Sequence, residues 1–316
     1  MDNPILRPAL NSVRMTYDLA QKPEYQDLMA AVSPYTGERV NRFTHIHQSA
    51  SDLVKKVKMQ RLLGQQTAMV TVMGDDDFGR RVQENAKDIG LDLSASAVLP
   101  DCRTGTYLYI AGPDGDMALA VNDMDIYQRM TPDFLRQRLD FINGADLVVL
   151  ETNLPEDSIR WLCDNCRAPI LADPVSTIKA EKLRPVLGKL AALKPNRLEL
   201  LSGMSIRTPE DAAQAARRLL DTGLGTVYIS LGAEGIYAAD RQGSTAWVPC
   251  ARCHVANATG GGDAVAAALA ARMVLGDSLT DTARWAVGAG ALACEAETTI
   301  NPAMCWDNIE TILNRR

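Results

Sequence analysis

From about residue 66 onward, short apolar runs alternate with amphipathic helical stretches, and this alternation restricts the chain more than any other feature. TAMVTVMG (67–74), ADLVVLE (145–151), APILADP (168–174), LAALKPN (190–196) and GTVYISLG (225–232) read as strands. DDFGRRVQENAKDIG (76–90), PEDSIRWLCDNC, TPEDAAQAARRLLDTG and GDAVAAALAARMVLG read as helices between or after them. Strands that are apolar along their whole length must be covered on both faces, and a helix between successive strands returns the chain for parallel pairing. The expected fold is therefore α/β: a doubly wound, mostly parallel sheet with helices on both faces. A chain of 316 residues can close one such core, and the expectation is a single unit spanning residues 1–316.

One segment breaks the alternation. TGTYLYIAGPDGDMALAV (104–121) holds two alternating runs around a Gly-Pro-Asp-Gly turn, the pattern of an antiparallel hairpin. Inserted early in an α/β chain, it reads either as a flap over a site or as a plain edge hairpin. The first reading makes it a small β lid, with residues 20–48 as a further contributor. Residues 1–60 otherwise show neither a clean apolar strand nor a capped helix beyond LMAAV and VRMTYDLA.

The charge balance narrows the partners. Aspartate and glutamate (39) outnumber lysine and arginine (33), for a net charge of −6, which argues against a phosphate-backbone footprint and toward a small molecule rather than nucleic acid. No run approaches the ~18 apolar residues of a membrane span, and the start lacks a charged segment followed by an apolar one. A soluble, cytoplasmic protein is the expectation. Seven cysteines fit a reducing compartment better than a disulfide framework. Cys163/Cys166 and Cys250/Cys253 have the CxxC spacing of zinc sites, but the first pair lies in a helical pattern that puts both on one face, and nothing in the sequence brings the second pair near.

The most informative stretch is NATGGGDAVAAALAARM (257–273), where three glycines lead into an apolar helix with an aspartate in its first turn. Gly260, Gly261 and Gly262 allow backbone N–H groups to converge at a helix N-terminus, where the dipole favours an anion such as a transferring phosphoryl group. Asp263 beside that pocket is suited to accept the proton of an attacking hydroxyl. The same residues also read as a glycine turn with an ordinary capping aspartate. In LKPNRLELLSG (193–203), Asn196 and Glu199 stand three apart just after a strand, Glu199 reading either as a holder of a Mg²⁺-bound water or as a solvated helix charge. ISLGAEGIY (229–237) ends a strand in a Gly-x-x-Gly turn that suits close approach of a nucleotide, or is merely tight.

Taken together, GDDDFG (74–79), the hairpin, VVLE (148–151), DP (173–174), KPNRLE (194–199), SLGAEG (230–235) and TGGGD (259–263) resemble, in order, the ribokinase-like family of carbohydrate and nucleoside kinases. Within it, VNDMDI (121–126), DPVSTIK (173–179), NATGGGD and CEAETTINP (294–302) are most similar to bacterial pseudouridine kinases. The resemblance implies ATP-dependent phosphorylation of the 5′-hydroxyl of a nucleoside such as pseudouridine, or of another sugar or nucleoside. It makes Asp263 the base and Gly260, Gly261 and Gly262 the anion hole. It places Asn196, Glu199, Ser230, Gly232, Gly235 and Thr259 on the nucleotide side, with Glu199 reaching Mg²⁺ through water. Acceptor contacts fall to Glu151, Asp27, Asn122 and Thr106. Asn257 stands where relatives often carry an Asp that organises a monovalent-cation loop, which leaves K⁺ dependence open. A homodimer through the lid is a further expectation of the resemblance.

The pattern departs from the family over the first 60 residues. The places of a Gly-Gly hinge and a sugar-gripping Asn hold Ala50, Ser51 and Lys55, and Asp27 is a weak match to the substrate Asp. Two readings follow: an active kinase, or a nucleotide-binding relative whose sugar side is impaired.

Overall fold

The structure is a computed structural model, which describes residues 56 and 58–315 apart from 112–116, 202, 204 and 299, with the backbone alone along 107–111 and 117–122. Among the described residues ten strands follow in chain order: β1 Val72–Gly74, β2 Ala97–Leu99, β3 Thr106–Ala111, β4 Met117–Asp123, β5 Val148–Glu151, β6 Ile170–Asp173, β7 Ala192–Leu193, β8 Thr226–Ser230, β9 Ile236–Asp240 and β10 Thr245–Val248. The longer helices are α1 Asp77–Asp88, α2 Glu156–Asn165, α3 Pro209–Leu220, α4 Gly261–Leu275, α5 Leu279–Cys294 and α6 Trp306–Leu313.

The main sheet has the order β10-β9-β8-β7-β6-β5. Its β5–β8 half is parallel, and β9 and β10 are added antiparallel. β1 pairs in parallel with β2, and β3 with β4 as the expected antiparallel hairpin, whose Gly-Pro-Asp-Gly turn lies outside the described residues.

Side-chain alternation along these strands builds two cores. Ile170, Ala172, Val227, Ile229, Tyr237 and Ala239 face one side, where α2, α3 and the 3-10 segment Glu181–Lys189 cover them. Leu171, Tyr228, Ile236 and Ala238 face the other, against α4, α5 and α6. Period-two alternation with apolar residues on both faces explains why these runs looked uniformly apolar in the sequence.

Helix ends follow their local chemistry. Asp76 caps α1 by accepting from the Gly79 amide at 2.8 Å. Thr208 and Asp211 form a reciprocal capping box that starts α3, with Pro209 in its first turn. α4 differs, because the eight consecutive residues Ala264–Ala271 are all buried. It packs along α5 with almost no side-chain spacer, since a Cβ on Gly290 would stand 2.8 Å from Val265 Cγ2, and α6 packs as closely on α5, where a Cβ on Gly288 would stand 2.7 Å from Ile309 Cγ2. Met59 and Leu63, one turn apart, anchor the first described helical residues in this second core.

Candidate active site

The parallel strands β5 to β8 all run the same way, so their C-terminal ends share one edge of the sheet, the edge at which doubly wound folds bind ligands. Glu151 ends β5 directly beside Asp173, which ends β6. Lys194, Pro195 and Asn196 follow β7, and Asn196 bridges to Ser230 at the end of β8.

The start of α4 lies against this edge. Its N-cap, Gly260, has φ 92°, a left-handed conformation that disfavours any side chain, and being glycine it offers no side-chain cap to the first-turn amides. The Gly261 amide donates to the Ala258 carbonyl at 3.3 Å, while the positive end of the helix dipole at this turn favours an anion. Gly262 is exposed, and a Cβ there would lie 4.0 Å from Lys194 Nζ, so an ammonium stands beside the glycine loop. Asp263 sits in the same first turn with its side chain 27% exposed. Gly261 fits its setting tightly: an alanine Cβ would be 3.1 Å from Cys294 Sγ.

The approach to the helix is fixed by Asn257, whose side-chain oxygen accepts from the Thr259 amide at 2.8 Å and whose Nδ2 donates to the Glu297 carbonyl at 2.9 Å. Thr259 is placed between this turn and the glycines.

Lys56 reaches into the cluster. Its buried ammonium pairs with Glu151, with Asp173 at 2.7 Å and with Asp263 at 3.4 Å. Lys194 Nζ reaches the other Asp173 oxygen at 3.4 Å. Burial works against the Lys56 charge, yet Asp173, Glu151 and Asp263 outweigh it and hold the ammonium well above the usual lysine range. Burial likewise opposes the Asp173 carboxylate, but Lys194 and Lys56 prevail and hold it below the ordinary range. Around Glu151, Asn153 Nδ2 donates at 3.1 Å and is itself held by Lys179.

Asn196 and Glu199 form a reciprocal turn. The Asn196 oxygen accepts from the Leu198 and Glu199 amides, and Glu199 Oε2 accepts from the Asn196 amide at 3.0 Å. Glu199 is only 7% exposed, which removes its reading as a solvated helix charge. Burial pushes its carboxyl up, against the opposing Asn196 amide and Lys194. Both Asp173 oxygens are taken by Lys56 and Lys194, so the carboxylate left to face a cation at this edge is that of Glu199, which presents only oxygen donors. That suits Mg²⁺, which takes one or two protein carboxylates and completes its shell with water and phosphate.

The turn after β8 is built for close approach. Gly232 and Gly235 both have positive φ, and the Leu231 amide donates to the Gly235 carbonyl at 2.8 Å. A Cβ on Gly235 would fall 2.0 Å from the Val248 carbonyl, whereas one on Gly232 would meet nothing within 4 Å. The Ser230 amide donates to the Pro195 carbonyl at 2.9 Å, which joins this turn to the Lys194–Glu199 segment.

The structure thus gathers Glu151, Asn196, Glu199, Ser230, Thr259 and the Gly260–Asp263 segment at one edge. Thr106 is buried at the start of β3 and its hydroxyl donates to the Thr104 carbonyl at 3.0 Å. Asn122 pairs with Tyr107 in the hairpin, its side chain outside the described residues, as is Asp27. The first CxxC pair packs into the core of the α2 face, where burial pushes the Cys163 thiol up to about 11.

Residues 57–305 match the pfkB family of carbohydrate kinases. The chain belongs to this family. Its members are phosphotransferases with an alcohol group as acceptor, and so is this chain. It is 32% identical over 255 residues to the pseudouridine kinase of Escherichia coli (strain K12), covering 80% of this chain and 82% of that one. A crystal structure of a putative sugar kinase from Clostridium perfringens superimposes with a TM-score of 0.72 at 28% identity, over 82% of this chain and 83% of that one.

Residues 1–77 match a second family, the N-terminal part of 4-hydroxyphenylacetate 3-hydroxylase. A 68-residue stretch is 59% identical to the 4-hydroxybutyryl-CoA dehydratase/vinylacetyl-CoA-Delta-isomerase of Clostridium aminobutyricum, which is 22% of this chain and 14% of that one. The missing Gly-Gly and Asn of the kinase pattern fall within this second match, which accounts for the departure read from the sequence.

Three residues of the cluster escaped the sequence reading. Asp173 and Lys194 stood in the quoted DP and KPNRLE motifs, but motif order alone gave them no role. Lys56 had no signal, because it precedes the kinase match by one residue.

Proposed function

We propose that the protein is an ATP-dependent kinase that phosphorylates the 5′-hydroxyl of a nucleoside, pseudouridine first among them. The single observation that carries this reading is Asp263 in the first turn of α4, beside an uncapped glycine N-terminus and the Lys194 ammonium. In this reading Asp263 accepts the proton of the attacking hydroxyl, the amides of the Gly260–Gly262 loop stabilise the transferred group, and Lys194 adds positive charge beside it. Ser230, Gly232 and Gly235 take the nucleotide, while Glu151 meets the acceptor at the end of β5. Mg²⁺, when bound with the nucleotide near Asn196 and Glu199, supplies neutralisation of the phosphate charge. Catalysis is then mostly positioning and electrostatics, the rest of the work falling to a β3–β4 lid that excludes water. The identity to pseudouridine kinase supports the acceptor class, and with Asn257 in place of the usual Asp the proposal leaves K⁺ dependence open.

A second reading, a nucleotide-binding relative with an impaired sugar side, is favoured by one observation: the segment that should carry the sugar-gripping residues matches another family. A coupled assay of ADP formation with pseudouridine, uridine, inosine and ribose separates the two. Turnover with a nucleoside supports the kinase; nucleotide binding by calorimetry without turnover on any acceptor supports the binder.

A further inference from the structure

Lys56 Nζ has three N–H donors and faces three carboxylates, each from a different element: Glu151 at the end of β5, Asp173 at the end of β6 and Asp263 in the first turn of α4. The base of the side chain is fixed as well. Met59 and Leu63, one and two turns further on, are 0% and 2% exposed, and Trp306 Nε1 donates to the Leu63 carbonyl at 3.1 Å. Around this ammonium the site holds four carboxylates, Glu151, Asp173, Glu199 and Asp263. Lys194 stands on the Asp173 side and Lys179 on the Glu151 side. Lys56 also lies one residue before the kinase match and inside the match to the second family.

We propose that Lys56 is a positioning residue of the phosphoryl-transfer site, a tethered cation, supplied from outside the kinase pattern, that balances Glu151, Asp173 and Asp263 and aims Asp263 at the acceptor. The proposal rests on the reading of Asp263 as the base. A carboxylate within about 4 Å of an ammonium stays ionised one to three pH units lower than without it. Lys56 pairs with one Asp263 oxygen at 3.4 Å, and the Asp263 side chain is 27% exposed. The three ion pairs together also relieve the mutual repulsion that would otherwise spread the strand ends and the helix start apart.

The test uses the full chain and the variants Lys56→Met and Lys56→Arg. In steady-state kinetics, the acidic limb of kcat against pH should move up by about one to three units in Lys56→Met. KM for nucleotide should stay within about twofold, and Lys56→Arg should return the limb toward wild type. An unmoved limb overturns the proposal. So does a lower acceptor KM with a higher kcat in Lys56→Met, which would make Lys56 an obstruction to the acceptor.

A second measurement needs no turnover, so that failure of the kinase reading and failure of this proposal are distinguishable. Urea unfolding between pH 5 and 8 compares the stability profile of Lys56→Met with that of wild type. In Lys56→Met the crowded carboxylates gain raised folded-state pKa values, so stability is present at low pH and is lost as pH rises through those values. Parallel profiles overturn the proposal. A variant folded at pH 5 and unfolded at pH 7 supports it, and one unfolded at both overturns it.

Discussion

Replacing Asp173 by asparagine keeps the shape of the side chain and removes its charge. The carboxylate is 7% exposed and sits between two ammonium groups, Lys56 at 2.7 Å and Lys194 at 3.4 Å. Breaking a buried pair from one side costs about 3–5 kcal/mol, because the remaining charge stays buried without its partner. Lys56 keeps Glu151 and Asp263, so the lower end applies, about 3 kcal/mol. In a domain of this size each kcal/mol moves Tm by about 2–4 °C, which puts the variant roughly 6–12 °C below wild type. Urea and thermal unfolding followed by circular dichroism at pH 7 measure both quantities. The sign of the pH dependence is fixed too. A carboxyl held below its ordinary range contributes stability above its unfolded pKa of about 3.9, and that contribution is lost as pH falls through the folded value. The gap between wild type and Asp173→Asn should therefore be constant from pH 5 to 8 and narrow only below about 4. A loss under about 1 kcal/mol, or a gap that changes between pH 5 and 8, would refute the charge-pair account of this cluster.

Asp263→Asn should lower kcat by about 10²- to 10⁴-fold with nucleotide affinity nearly unchanged, as read by steady-state kinetics and calorimetry; a variant keeping a tenth of kcat sinks the assignment of the base. Gly232→Ala adds only the strain of a left-handed backbone, about 1–2 kcal/mol in urea unfolding, whereas Gly235→Ala also drives a methyl into the Val248 carbonyl and should cost clearly more. Equal losses would mean that the β8–β9 turn relaxes freely. Deleting residues 112–115 at the hairpin tip should raise KM for the nucleoside far more than for ATP, and equal effects on both would count against a lid.

Much of the fold was legible because strand ends and helix starts carry their chemistry locally. The apolar run before Asp173 and the amphipathic stretches that begin at Asp76 and Thr208 each announced their element. β7 was read too long: it covers only Ala192–Leu193, because Lys194 turns to the site and Pro195 has no amide to donate. β9 and β10 went unread, although Gly243, with φ 91°, marks the turn between them. α5 was also missed, since a helix apolar on nearly every side has no amphipathic period to detect. The glycine turns after β8 and before α4 were readable from spacing, because the glycines that make each turn are neighbours in sequence. The acidic cluster was not, because Lys56, Glu151, Asp173 and Asp263 meet only after the sheet has set their register.

The close fit of α4 against α5 also bears on how the protein reaches its working form. A helix buried over eight successive residues gains almost nothing by forming alone in water, since isolated helices of this length are marginal and its stability comes from packing. Gly290 sits more than 20 residues beyond the glycine loop, yet a side chain there would push against Val265 and unseat α4, and Gly288 does the same service between α5 and α6. The glycine loop at the start of α4 therefore depends for its stability on the packing of that helix against its neighbours. In the proposed reading, the loop that meets the phosphoryl group is only as firm as the packing of α4 on α5, so a change far from the loop can loosen it without touching any residue of the site.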